Sequence, residues 1–371
     1  MKYFIGLLCI IGFLQIPTFA EVIKKRNNSV KNQIVTVEDI VQNSKATEER
    51  IIALNNLDFN TIYKHSNLLL DYKLFEKNVI FIQKILSRSI ELYGLDSLET
   101  KIAYLKLAYA YLHIPDKKSA KFIYELVDET KENKSYEKNI ILAISIFNTK
   151  GNYELLSGNF RKSLKYFSKV QILLKKHNLD INITYVRALH SKAFAEHSLG
   201  NHKKALKLMK KGSNIIQKNN IVLDYSELGN MQITLSGILI KLEKYQQASS
   251  QVMHVLKTIK DSGNSDLPIT IELINIFNAS LIFTNSLTSV VTNANSALEI
   301  QKKIGYKDND TIVSIYMFKG LAEKKLKKYK ESKKSYSKAL LLLEQIKLDN
   351  EEKRLIKNKI EHSVNEIKEH L

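Results

Sequence analysis

The sequence predicts an all-α protein, a solenoid of about seven stacked helical hairpins, and three observations carry that expectation. Residues that interrupt helices are scarce, with 3 prolines and 12 glycines in 371 residues, which favours long unbroken helices. Small turn clusters recur at a fixed interval. Residues suited to ending helices recur in the same register.

The chain opens on a different kind of segment. Lys2 supplies a positive start, Phe4 to Ile16 is an almost unbroken apolar run, and Pro17-Thr18-Phe19-Ala20 closes it with residues suited to cleavage after Ala20. Residues 1–20 read as a secretory signal peptide with an apolar core too short to span a bilayer comfortably. An uncleaved membrane anchor is the alternative. The expected location is periplasmic or secreted. Cys9 is the one cysteine and leaves with the signal, so the mature chain must rest on a hydrophobic core of its own. No later segment reaches the length and apolarity of a transmembrane helix, so the mature chain is expected not to span a membrane.

Residues 21–57 form an N-terminal lead-in and helix. Val22 to Gln33 is polar and basic, and Thr36-Val37-Glu38-Asp39 can start a helix running towards Asn56.

Residues 58–350 carry the repeats. Gly158-Asn159-Phe160 precedes Ser163, and Gly200-Asn201-His202 precedes Ala205. Glu243-Lys244-Tyr245 precedes Ala248, and Lys327-Lys328-Tyr329 precedes Ser332. These anchors stand 42, 43 and 84 residues apart, the last being two periods. Gly94, Asn178, Asn220, Gly263 and Gly305 follow in register, the residue types that take the left-handed conformation after a helix end. Asp96, Asp180, Asp224, Asp266 and Asp308 come shortly afterwards, suited to the next helix N-terminus.

The clusters resemble the inter-helix turn of the tetratricopeptide repeat. The best match to that family's bulky and small positions is Tyr104, Leu107, Ala108, Tyr111, Ala120, Tyr124 and Val127. A second reads Tyr316, Gly320, Glu323, Ser332, Tyr336 and Ala339. Extending the pattern starts repeats at Phe59, Lys101, Ile144, Val186, Gly229, Ile271 and Val313. Small residues let paired helices approach closely, and a single hairpin cannot bury its apolar face alone, so neighbours must stack. The resemblance implies a right-handed α-solenoid. It departs from the family in lacking the usual proline and in its long period of about 42 residues, which resembles a long-helix subset. Two repeats are weak: Asn78 occupies a small position in the first, and Leu287-Thr288-Ser289-Val290 stands in place of the glycine turn in the Ile271 repeat. Residues 351–371 complete the chain as a C-terminal capping helix, with Leu355, Ile356, Ile360, Val364 and Ile367 on one side.

The resemblance also implies where a partner sits. Successive first helices line a concave groove in this family, and the matching positions here are Asn148, Asn152, Arg187, His190 and Asn230, flanked by Tyr63, Asn67, Tyr109, Asn275 and Lys324. Asparagine offers a donor and an acceptor to an extended peptide backbone, and Arg187 can meet a carboxylate through two hydrogen bonds. The expected partner is a peptide or protein segment, held without catalysis.

The formal charge of +19 favours anionic partners, or else reflects compositional bias. From Phe160 to Asn220 there are fourteen basic residues against Asp180 and Glu196. Many fall on second helices, on the outer face: Arg161, Lys162, Lys165, Lys169, Lys203, Lys204, Lys207, Lys210 and Lys211. That face is either simply solvated or docks on an anionic envelope component. An envelope assembly factor, or the sensor component of a signalling system, is therefore the alternative function. Nucleic acid is not an expected partner, since no reading motif is present.

No phosphate loop, nucleophile elbow or carboxylate pair points to catalysis, and no cofactor is expected. His190, His197 and His202 come nearest to a metal cluster. His190 and His197 share a helical face but stand two turns, about 10 Å, apart, too far to share one ion. No metal is expected.

Overall fold

The computed structural model describes residues 65–67, 69–114, 117–126, 139–306, 308–346 and 350–370. The expected signal peptide of 1–20, the expected lead-in of 21–57, Phe59, Tyr63 and Val127 lie outside the described residues. Within them every regular element is a helix.

The helices pair in chain order. α1 (Phe75–Tyr93) is the second helix of the first hairpin. α2 (Leu98–Tyr111) pairs with α3 (Lys117–Leu126), α4 (Ile140–Leu156) with α5 (Phe160–Lys176), and α6 (Ile183–Ser198) with α7 (His202–Lys218). α8 (Tyr225–Lys241) pairs with α9 (Tyr245–Asp261), α10 (Pro268–Phe283) with α11 (Leu287–Ile304), and α12 (Asn309–Lys325) with α13 (Tyr329–Glu344). α14 (Asn350–Lys368) follows. Second helices begin at Phe75, Lys117, Phe160, His202, Tyr245, Leu287 and Tyr329, always 42 or 43 residues apart. The architecture is an all-α solenoid of stacked hairpins. It divides into two compact units, the N-terminal one ending at Leu223 and the C-terminal one starting at Asp224.

One local motif builds six of the turns between paired helices. The second residue after the first helix takes positive φ: Lys73, Gly158, Gly200, Glu243, Asn285 and Lys327. Its amide bonds back to the helix, as does the next one; Gly158 N–H reaches the Leu155 carbonyl at 3.1 Å and Asn159 N–H the Glu154 carbonyl at 2.8 Å. These paired bonds satisfy carbonyls that a helix end otherwise strands. In the Ile271 repeat the turn is Thr284-Asn285-Ser286, with Asn285 left-handed, and not Leu287-Thr288-Ser289-Val290, which opens α11. Asparagine tolerates that conformation, so the turn survives without glycine.

Glu243 and Lys327 tolerate it less well, since a Cβ in this region costs about 1–2 kcal/mol while glycine loses about 0.5–1 kcal/mol in chain entropy. Glu243→Gly or Lys327→Gly is therefore expected to stabilise the C-terminal unit by a few tenths to about 1 kcal/mol. Urea denaturation checks this; a lower midpoint in both variants refutes it.

The turns between hairpins follow the expected register, with Gly94, Asn178, Asn220, Gly263 and Gly305 all at positive φ. The aspartates beyond them divide. Asp224 and Asp308 cap their helices, accepting from Glu227 N–H at 2.7 Å and Asp310 N–H at 3.1 Å. Ser97 and Asn182, rather than Asp96 and Asp180, cap α2 and α6. α10 starts on Pro268 at a position where no donor is needed. Asp266 instead pairs with Lys303 at 2.6 Å.

Small residues sit where paired helices cross. Ala108 faces the α2–α3 crossing with Ala120, Ala193 and Ala205 serve α6–α7, and all four are fully covered. Ser332 Oγ donates to the Gly320 carbonyl at 2.7 Å across the last hairpin. In the first hairpin Ser66 Oγ donates to Asn78 Oδ1 at 2.8 Å, which explains how an asparagine fits a small position. Apolar clusters fill the layers between hairpins, and α14 closes the last of them. Ile356, Ile360 and Ile367 pack with Val313, Tyr336, Ala339 and Leu343. Leu355 is half exposed and faces away.

Among the described residues no helix is long and apolar enough to cross a membrane.

Candidate binding face

First and second helices differ in how they meet their surroundings. α4 buries every residue from Leu142 to Asn152, whereas α7 buries only Ala205, Met209 and Gly212. The first helices are an inner layer, flanked by their own partner helices and by neighbouring hairpins. α2 packs on α4, α8 on α10, and α10 on α12.

This layer carries all five predicted binding residues. Asn148 and Asn152 lie on α4, Arg187 and His190 on α6, and Asn230 on α8 in the other unit. All are between 1% and 8% exposed. All five are therefore covered side chains in this structure.

In the N-terminal unit Asn152 donates its amide to the Asn148 carbonyl at 2.9 Å, one turn back in the same helix. Burial lowers the His190 pKa to about 3, so its ring is neutral. Lys106 on α2 was not singled out by the sequence, yet it is the most perturbed cation of the face. Burial and then the like charge of Arg187 lower its pKa to about 7. Two cations from α2 and α6 are thus held within electrostatic reach inside the protein. Tyr109, the predicted flanking residue on α2, is buried as well.

The C-terminal unit presents amides and acids. The Oδ1 atoms of Asn230 and Asn275 are buried and have no hydrogen-bond partner among the described residues. Glu272 accepts from the Tyr306 hydroxyl at 2.9 Å, and that hydroxyl also reaches Asp308 at 3.2 Å. Burial and these two carboxylates push the Tyr306 pKa well up. Lys324 is committed to a salt bridge with Glu366 of α14. Asn67 stays half-buried in the first hairpin.

A glutamate near the end of the first helix is a repeated structural clamp. Glu154 accepts from Asn159 and Glu196 from Asn201, each at 2.8 Å, and Glu323 accepts from Ser335 at 2.7 Å. Each fastens a first helix to its turn or second helix. The Glu-x4-Asn spacing in two consecutive repeats was the available signal.

On the outer side, Arg161, Lys162, Lys165 and Lys169 of α5 and Lys203, Lys204, Lys207, Lys210 and Lys211 of α7 are all exposed. Among the described residues no three His, Cys, Asp or Glu side chains converge as metal ligands.

Residues 313–342, the hairpin of α12 and α13, match the tetratricopeptide repeat family. A comparison with curated protein sequences finds no match. Among solved structures the chain is similar to the APC/C hetero-tetramer Cut9–Hcn1, at 15% identity and a TM-score of 0.60 over 92% of this chain and 55% of that one. It is also similar to the apo form of RapI, at 14% identity and a TM-score of 0.56 over 83% of this chain and 84% of that one. A tetratricopeptide repeat protein from Parabacteroides merdae follows, at 12% identity and a TM-score of 0.46 over 82% and 98%. The chain spans about half the length of the first of these. Residues 313–342 thus form a tetratricopeptide repeat, a scaffold motif typical of protein–protein interaction, and the described residues share the all-α solenoid fold of these structures.

Proposed function

We propose that this chain is an exported, non-catalytic scaffold that captures a peptide or protein segment on its first helices. The observation that carries the reading is the pair of buried amide oxygens on α8 and α10. Asn230 Oδ1 and Asn275 Oδ1 find no donor among the described residues, and a buried acceptor left unmade costs about 1–3 kcal/mol. Backbone N–H groups of an extended segment supply the missing donors. In the N-terminal unit, considered by itself, Arg187 and Lys106 are cations of a kind suited to a carboxylate. Covered side chains of this kind contact a segment only when the first helices part to admit it.

The outer basic face supports a second reading, docking on an anionic envelope polymer, because all nine of its named cations are exposed. One experiment separates the two. Purified chain lacking residues 1–20 is incubated with envelope extract, and bound proteins and sedimenting envelope material are quantified. Arg187→Ala and the double variant Asn230→Ala/Asn275→Ala are expected to lose bound proteins at least about tenfold, the value of two hydrogen bonds. Reversal of Lys207, Lys210 and Lys211 to Glu is expected to spare them. Capture unchanged by the inner variants and abolished by the reversal sinks the first reading and favours the second. Export is tested separately, by finding Glu21 at the mature N-terminus of the chain outside the cytoplasm.

A further inference from the structure

We infer that the outer face of the N-terminal unit docks on an anionic lipid bilayer, its cations meeting headgroups while Ile80, Phe122 and Ile172 enter the interface. Such docking rests on the second reading of the outer face, with a lipid surface in place of a polymer as the partner. α5 carries six lysines and arginines and α7 another six, neither helix holds an acidic residue, and all twelve cations are exposed. Among the described residues, Arg161, Lys162, Lys165, Lys203, Lys207 and Lys210 meet no carboxylate within ion-pair distance. The crowding is felt inside the unit. Lys192 of α6 donates to Gln171 of α5 at 2.8 Å. Burial first, and then Lys204, lowers its pKa; Lys211 and Lys175 add to the effect and Glu196 opposes it. A positive field this dense and this little compensated is relieved by an anionic surface.

Cations alone suit any polyanion, and the apolar side chains among them favour a bilayer. Ile172 is 65% exposed. It follows Lys165 by seven residues and Lys169 by three, so it stands within the basic stripe of α5. Phe122 on α3 and Ile80 on α1 are 64% and 54% exposed. Ile80, Phe122, Lys165 and Lys207 are 42, 43 and 42 residues apart, one repeat at each step. They therefore occupy the same position on four successive second helices, α1, α3, α5 and α7. The row is apolar at one end and cationic at the other. A large apolar side chain standing in water gains little from a hydrated polyanion. It gains by entering the boundary between headgroups and acyl chains, where neighbouring lysines hold it against anionic lipid.

The test uses chain lacking residues 1–20, so that the apolar run of 4–16 cannot itself anchor the protein. Vesicles are made of phosphatidylcholine alone or mixed with phosphatidylglycerol. The parent is expected to sediment with the mixed vesicles only, and less so at high salt. Lys165→Glu/Lys207→Glu/Lys210→Glu is expected to weaken binding by at least about a hundredfold, since each cation near such a surface is worth about fivefold. Phe122→Ser/Ile172→Ser keeps every charge and is expected to weaken it by at least about tenfold. The sequence contains no tryptophan, so Phe122→Trp supplies a single reporter whose emission should move to shorter wavelength on the mixed vesicles. Circular dichroism checks that each variant folds as the parent does. Absence of binding to the mixed vesicles overturns the proposal. So does unshifted tryptophan emission, or a serine pair that binds as the parent does, since either leaves the face to charge alone and to a polyanion. The vesicles contain no protein, so none of these outcomes bears on segment capture by the first helices.

Discussion

Lys106→Met is expected to stabilise the N-terminal unit by about 2–4 kcal/mol at pH 7 while weakening segment capture. The lysine is held inside the protein with its pKa brought from 10.5 to about 7, by burial first and by Arg187 second. Each unit of that displacement corresponds to about 1.4 kcal/mol, so the folded state carries roughly 4 kcal/mol of charge burial at neutral pH. Methionine keeps the length and apolar volume of the stem and removes the ammonium, which recovers most of that cost.

The pH dependence follows from the direction of the shift. Between pH 7 and about 10.4 the unfolded chain binds more protons at this site than the folded one, so stability rises with pH across that window. Below pH 7 the ammonium is charged in both states and the cost is constant. Lys106→Met should flatten the rise, and urea midpoints at pH 6, 8 and 9.5 measure it. An unchanged slope together with an unchanged midpoint refutes the assignment. Stabilising substitutions at binding sites generally reduce function, which is why capture is expected to weaken.

The fold was legible because its punctuation is chemical. Gly94, Asn178, Asn220, Gly263 and Gly305 are residue types that accept positive φ, and each takes it. The same signal fails where a residue ill-suited to that conformation is forced into it. Glu243 and Lys327 were legible as turn positions only through the repeat interval and not through their own chemistry; they occupy the left-handed position because two back-bonded amides over-determine it. The capping aspartates were displaced by one or two positions since Ser97 and Asn182 cap equally well. The binding face was legible in position but not in environment. Asn148, Asn152 and Arg187 are polar and read as the lining of a groove, whereas all three are covered side chains. Lys106 was invisible for the same reason, since nothing local distinguishes a buried lysine from a surface one. The hydrogen bond between His197 and His202 needed the path of the turn, which spacing along one helix does not contain.

Gly229→Ala is expected to cost the C-terminal unit about 3 kcal/mol or more. In the sequence Gly229 is only the first residue of a repeat, and alanine there should improve α8 by about 1 kcal/mol on helix propensity alone. The packing opposes this. A Cβ at Gly229 would stand 2.1 Å from Ile269 Cγ1, 2.9 Å from its Cδ1 and 3.4 Å from Leu273 Cδ1. Ile269 and Leu273 are themselves enclosed on α10, so neither can swing into solvent. Overpacking of a filled core commonly costs 1–3 kcal/mol, and an approach this far inside contact distance belongs at or beyond the upper end. The backbones of α8 and α10 must separate, and with them Asn230 and Asn275 on the same two helices. A double-mutant cycle isolates the cause. Ile269→Ala alone should cost about 2–4 kcal/mol by leaving a cavity. Combined with Gly229→Ala, the added methyl enters that space, and the double variant should be more stable than the sum of the singles by at least about 2 kcal/mol. Simple additivity would show that the close approach of the two first helices is not what holds position 229 to glycine.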